Sequence, residues 1–140
     1  MSSMYNDIIK NLSTREVDVL EVFWVANKPL ISSEISKYNP SLTKGTIQSI
    51  IKSLTQKKLI KVDEIVYSGT VLARSYIPLI NANEYAQIKI CNDVKNFSKH
   101  ISKTNVIAAL IESDEQKAEL FDELEKMIYD ARVKLKKEKK

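Results

Sequence analysis

Glycine is almost missing from this sequence: Gly45 and Gly69 are the only two in 140 residues, where ordinary usage of about 7% would supply roughly ten. Two isolated glycines cannot build a phosphate-cradling loop, which removes the nucleotide-binding α/β folds. Cysteine and histidine occur once each, as Cys91 and His100. One of each excludes an internal disulfide and a four-ligand zinc site within one chain. No cofactor, no metal and no catalytic residue is expected, because no nucleophile and base can be assembled around a single histidine. The longest apolar run is the six residues from Val106 to Ile111, far short of the ~20 of a membrane helix. The opening MSSMYNDIIKNL has no basic segment leading into an apolar stretch, so it is not a secretory signal. A cytoplasmic protein without a membrane partner is the expectation.

What is present is enough apolar residue for a core, 44% of the chain, with 29% charged and a net charge of +4. Ser13 and Glu16 have capping-box spacing, flanked by Leu12 and Val17 as a hydrophobic staple. Val17, Leu20, Phe23 and Trp24 then follow the spacing of a helix with one buried face, ended by Asn27-Lys28-Pro29. A short extended piece at Leu30-Ile31 leads to Ser32, which can cap a short helix through about Lys37 before Pro40 breaks the chain. Ser41-Leu42-Thr43 reopens a helix to about Lys57, with Ile47, Ile50, Ile51 and Leu54 on one face. The period then switches: residues 60–67 and 71–77 read as two strands joined at Ser68-Gly69-Thr70, where Gly69 can take the positive φ of a hairpin turn. Two helices in close succession followed by a β-ribbon is the layout of a winged helix-turn-helix.

From residue 81 the pattern is helical throughout. Asn81 or Asn83 can cap a helix carrying Tyr85, Ile88, Val94, Phe97 and Ile101, and residues 105–111 are nearly all apolar. Ser113 and Gln116 have capping-box spacing before a long last helix, whose Leu120, Leu124, Met127 or Ile128, Ala131 and Leu135 recur as in a helix-pairing seam. The expected fold is mostly α with a small β-hairpin: residues 1–80 a winged helix-turn-helix, residues 81–140 an all-helical dimerisation domain with a basic tail. Val106, Leu110, Leu120, Leu124, Ile128 and Leu135 are the candidate dimer contacts. An apolar seam larger than a small lobe can bury should pair across a two-fold axis.

The net charge hides three blocks. Residues 41–61 hold five lysines (44, 52, 57, 58 and 61) and no acid, residues 112–130 hold eight acids against two lysines, and residues 132–140 hold six bases against Glu138. An acid-free basic stretch over the second helix of a helix-turn-helix is the footprint of phosphate binding. With the isoleucines turned inward, Gly45, Gln48, Ser49, Lys52 and Gln56 form the outer face. Gln48 suits a bidentate pair with adenine. Lys44, Thr46, Ser49 and Lys52 suit phosphates or bases, and Lys58 and Lys61 the flanking backbone. On the hairpin, Arg74 with Tyr67, Ser68 and Thr70 can touch DNA as a wing does, whereas Asp63 and Glu64 argue against a uniformly cationic wing. A solvated amphipathic helix shows the same polar face; the neighbouring short helix, the hairpin and the lack of acids favour double-stranded DNA as partner. The competing reading, a winged-helix module for protein–protein contact without specific DNA binding, would call for exposed apolar anchors on that face.

These elements resemble the penicillinase and methicillin-resistance repressor family, the BlaI/MecI/CopY group. The resemblance rests on Leu12-Ser13-Thr14-Arg15-Glu16-Val17-Asp18-Val19-Leu20, then Phe23-Trp24, on Thr43 to Ile60 as a recognition helix, and on the helical C-terminal part. It implies a homodimer repressing transcription from a palindromic operator, with Thr46, Gln48, Ser49 and Lys52 facing DNA. Gly45, Gln48 and Ser53 stand where that family leads one to expect bases, and Lys58 where a glycine often ends the helix. The proteolytic Asn-Phe site of its antibiotic-resistance members is replaced at the similar position by Ala108-Ala109-Leu110-Ile111, Asn96-Phe97 lying upstream. The paired Cys-x-Cys motifs of its copper-responsive branch are absent, so the resemblance supplies no inducer. Cys91 and His100 read as a buried thiol and a surface histidine on opposed sides of one helix, and the tail from Lys134 as frayed.

Overall fold

The computed structural model describes residues 3–97 and 100–139. By its contacts the chain forms two compact units, Met1–Asp93 and Val94–Lys140. The first contains α1 (Ser3–Lys10), α2 (Thr14–Ala26), β1 (Leu30–Ile31), α3 (Ser32–Tyr38), α4 (Lys44–Gln56), β2 (Ile60–Ser68), β3 (Val71–Pro78) and most of α5 (Ala82–Asn96). This is the winged-helix order expected, with two additions. β1 pairs antiparallel with β3, giving a three-stranded sheet in the order β1-β3-β2. α1 precedes the motif, and its Ile9 is buried in the common core.

Local chemistry sets the element ends. Ser13 caps α2 by accepting from the Glu16 amide at 3.1 Å, while Glu16 Oε1 accepts from the Ser13 amide at 3.1 Å. The expected cap of α3 moves by one position: Ser32 is its first helical residue, and the side chain of Glu34 accepts from the Ile31 amide at 3.0 Å instead. Thr43 caps α4 by accepting from the Thr46 amide. At the other end of α4 the Lys58 amide donates to the Thr55 carbonyl and the Leu59 amide to the Leu54 carbonyl, with Lys58 left-handed at φ 60. This is a Schellman closure, with Leu54 and Leu59 fully buried at its apolar contact. Lysine pays for that conformation in steric energy, so Lys58→Gly is expected to raise stability by about 0.5–1 kcal/mol in urea unfolding. Two-residue turn geometry places Gly69 at φ 68 between β2 and β3. A bulge between Val62 and Glu64 sets Asp63 apart from the ladder. The buried Ser75 hydroxyl bridges that irregularity, donating to the Glu64 carbonyl and accepting from its amide.

The core gathers Val19, Leu20, Val22 and Phe23 of α2, Ile35 of α3, and Ile47, Ile50, Ile51 and Leu54 of α4, under Leu30, Leu59 and Ile60. Residue 80 does not end this unit. Trp24 donates from Nε1 to the Ile80 carbonyl at 2.9 Å and meets the Tyr85 ring at 5.4 Å, and Ile88 of α5 is buried. The Asn81–Glu84 capping box that starts α5 is made in both directions.

The second unit holds the end of α5, α6 (Lys103–Glu112) and α7 (Lys117–Glu138). α5 stops at Asn96, so Phe97 and Ile101 lie beyond it; residues 98 and 99 of the longer helix expected there are outside the described residues. Cys91 and His100 therefore do not share a helix, and the thiol is exposed, not buried. Ser113 and Gln116 do not form the expected box: Ser113 closes α6 and donates to the Leu110 carbonyl, while Gln116 precedes α7 without a side-chain cap. The tail is helical to Glu138, with Lys140 outside the described residues. None of the described residues of this unit is buried. Among the described residues no helix is long and apolar enough to cross a membrane.

Candidate nucleic-acid interface

α4 reaches the surface because four of its residues do not. Ile47, Ile50, Ile51 and Leu54 are each at most 7% exposed, which at about 100° per residue turns Lys44, Gln48, Ser49, Lys52 and Gln56 outward. All five are exposed. Between α4 and the β2–β3 hairpin lies an open groove of about 760 Å³. Lys44, Gln48 and Lys52 line it from the helix, Arg74 and Tyr76 from β3, and Ser32 and Ser33 from the start of α3. Its lining residues include three cations and no carboxylate.

Of the eight DNA-binding candidates, the fold thus brings together Lys44, Gln48, Lys52 and Arg74. Thr46 is half-buried, its hydroxyl oxygen accepting from the Thr43 hydroxyl at 2.8 Å within the helix cap. Ser49 is exposed on α4 outside the groove. Lys58 and Lys61 are exposed where the chain leaves α4 and enters β2, also outside the groove lining. Ser32 and Ser33 were not among the candidates; serines at a helix start give no signal that the hairpin lies opposite. Asp63 and Glu64 sit at the bulge and not in the groove.

The five-lysine stretch is not uniformly available. Lys57 Nζ lies 2.6 Å from Glu16 Oε2, which also accepts from the Ser53 hydroxyl at 2.9 Å. Glu16 is buried while Lys57 keeps about a third of its side chain in solvent. Burial opposes the charge of Glu16, but hydrogen bonds from Lys57, the Ser13 amide and Ser53, with the Lys57 charge, outweigh it and hold its carboxyl below the ordinary 4.5. One carboxylate therefore caps α2, ties it to the last turns of α4 and neutralises one of the five lysines. Lys44, Lys52, Lys58 and Lys61 form no ion pair among the described residues. Ser53, which stands where the family resemblance leads one to expect a base, is turned to Glu16.

A family model described as penicillinase repressor matches residues 12–130. No curated protein matches the sequence. Among solved structures, a regulator of the MarR family from Neisseria meningitidis is 20% identical, covering 97% of this chain and 88% of its own, with a TM-score of 0.42. MarR of Staphylococcus aureus, solved with salicylate and kanamycin, is 15% identical over 93% of this chain and 81% of its own, with a TM-score of 0.41.

Proposed function

This chain belongs to the penicillinase repressor family, and we propose that it represses transcription by occupying a palindromic operator as a homodimer. It is a winged-helix transcriptional regulator. The observation that carries the finer reading is the acid-free groove beside α4, lined by Lys44, Lys52 and Arg74 together with Gln48. α4 enters the major groove, Gln48 reads a base edge, and the cations take the flanking phosphates. The outer face of α4 carries no exposed large apolar side chain, the exposed Val62, Val71 and Leu72 of the groove lying on the hairpin. The second unit pairs with its counterpart: none of its described residues is buried, and Leu110, Ile128 and Leu135 are each more than half exposed. Val106, Leu120 and Leu124, half-buried in the single chain, complete that contact. Two copies of α4 about one helical turn of DNA apart (~34 Å) read the two half-sites.

Selection of bound duplexes from a random pool, followed by footprinting, tests this. The expected product is an inverted repeat protected at both halves. Gln48→Ala is expected to weaken binding to that repeat by about 1–3 kcal/mol for each half-site and to relax base preference at one position in each, with non-specific binding unchanged. Protection of a lone half-site would remove the dimer from this reading. Binding without base preference in the native protein would remove the operator.

A further inference from the structure

We propose that the C-terminal end of α7 is a second DNA contact, in which Arg132, Lys136 and Lys139 bind the phosphates of duplex DNA whatever its sequence. This rests on the DNA-binding reading above and adds a phosphate site outside the winged helix.

α7 stays helical through its basic end. Glu138 is its last residue, and Lys139 follows as the C-cap, right-handed at φ −80 and ψ −10, its amide donating to the Leu135 carbonyl at 3.2 Å. A frayed tail spreads its charges in all directions, whereas a helix gives each one a side. At about 100° per residue, Arg132, Lys136 and Lys139 fall within roughly 60° of one another, and at about 1.5 Å per residue they form a row roughly 10 Å long. All three are exposed, and none forms an ion pair among the described residues. Tyr129, 68% exposed, extends the row by one turn. The neighbouring acids leave it clear. Asp130 and Glu138 lie about 140° from its middle, while Glu125 and Asp122, nearer its direction, come about 10 and 15 Å before Arg132. Lys134 and Lys137 stand on the other sides of the helix.

A helix dipole favours cations in the last turn, where Lys136 and Lys137 stand. It does not select a side of the helix, and it does not reach back to Arg132. A row of free cations on one side suits a polyanion, whose bound counterions are released as each phosphate is neutralised. The Arg132 guanidinium matches a phosphate with two donors, and the Tyr129 hydroxyl can donate to a phosphate oxygen. The other polyanion at hand is the acidic stretch 112–130 of a second copy. Those acids belong to the part of the chain that the family model matches, which ends at residue 130, and the whole basic row lies beyond it. The row is therefore an addition to that helix and not half of a pair built into it. A DNA-binding protein already brings the matching partner, a continuous line of phosphates.

The test compares the full chain with a variant carrying Arg132→Gln, Lys136→Gln and Lys139→Gln, since glutamine keeps helix propensity while removing the charge. Each is titrated by fluorescence anisotropy, over a salt series, on two duplexes of equal length, one bearing the selected repeat and one of random sequence. The variant is expected to bind both about 10- to 100-fold more weakly at moderate salt, with the log–log salt slope shallower by about 2.7 for each protomer. Base preference within the repeat should not change. Lys134→Gln with Lys137→Gln, on the other sides of the helix, should shift the slope by less than about one; a loss equal to that of the row overturns the assignment to one face. Parental affinity and slope in the triple variant overturn the second contact, and leave the groove reading standing if the repeat is still preferred. A parent that binds neither duplex overturns both. Light scattering reads the competing occupant: a triple variant that falls from two chains to one means that the row faces the acids of a second copy, which overturns this inference.

Discussion

A chain in which Lys44, Lys52 and Arg74 are all replaced by alanine is expected to bind duplex DNA about 100- to 1,000-fold more weakly than the parent at moderate salt. The plot of log affinity against log salt should become shallower by about three for each protomer. Each of these side chains is exposed, lines the groove beside α4, and forms no ion pair among the described residues. Removing them takes nothing from the core, so the unfolding midpoint should stay within the range of ordinary surface changes, about 0.5 kcal/mol. Fluorescence anisotropy across a salt series reads both quantities. Lys57→Ala supplies the contrast. That lysine is bound to Glu16, so its loss should lower stability while leaving the salt slope nearly unchanged. A triple variant with the parent's affinity and slope would take DNA out of this groove.

Glu16→Ala is expected to lower stability by about 2–3 kcal/mol at neutral pH. Both carboxylate oxygens are occupied, Oε1 by the Ser13 amide and Oε2 by Ser53 and Lys57, and hydrogen bonds to a charged group are worth about 1.5–3 kcal/mol each. The sum is discounted because Lys57 retains solvent contact and can turn outward once its partner is gone. The same group makes stability depend on pH. Its carboxyl is held below 4.5 in the folded chain, so its contribution is complete above that value. It is lost as pH falls through the lowered one. Urea unfolding from about pH 3 to pH 7 should therefore show the parent losing stability in acid by more than Glu16→Gln does. The two curves should converge at the acid end, and a constant gap between them would mean that Glu16 does not act through its charge.

How legible each part was follows from the range of the interactions that make it. The Ser13–Glu16 box, the inward face of α4 and the turn at Gly69 each depend on residues within a few positions of one another. They appear in the structure as their spacing predicted. α1 was not legible, because a helix of eight residues is held by burying Ile9 against distant side chains. The last turn of α5 and the start of α7 differ from the spacing for a related reason. Apolar spacing continues past Asn96, and Ser113 has a capping spacing that it uses instead to close α6. In the candidate site, the outer face of α4 was readable as a helical stripe. That Arg74 stands across a groove from it required the hairpin to fold back, thirty residues of chain that carry no signal of their final direction.

The scarcity of glycine, cysteine and histidine, the capping pattern and the charge blocks by themselves determined a winged helix-turn-helix with a basic second helix. Those features are local: they arise from spacing, backbone preference and the count of charges along the chain. Only the tertiary structure decided which charges remain free. It committed Lys57 and Ser53 to a carboxylate 41 and 37 residues away, joined β1 to β3, and gathered Lys44, Gln48, Lys52 and Arg74 around one groove. A charge in the sequence is a formal number. Whether it faces a buried acid or open solvent is fixed by contacts between residues far apart in the chain, and spacing alone carries no record of them.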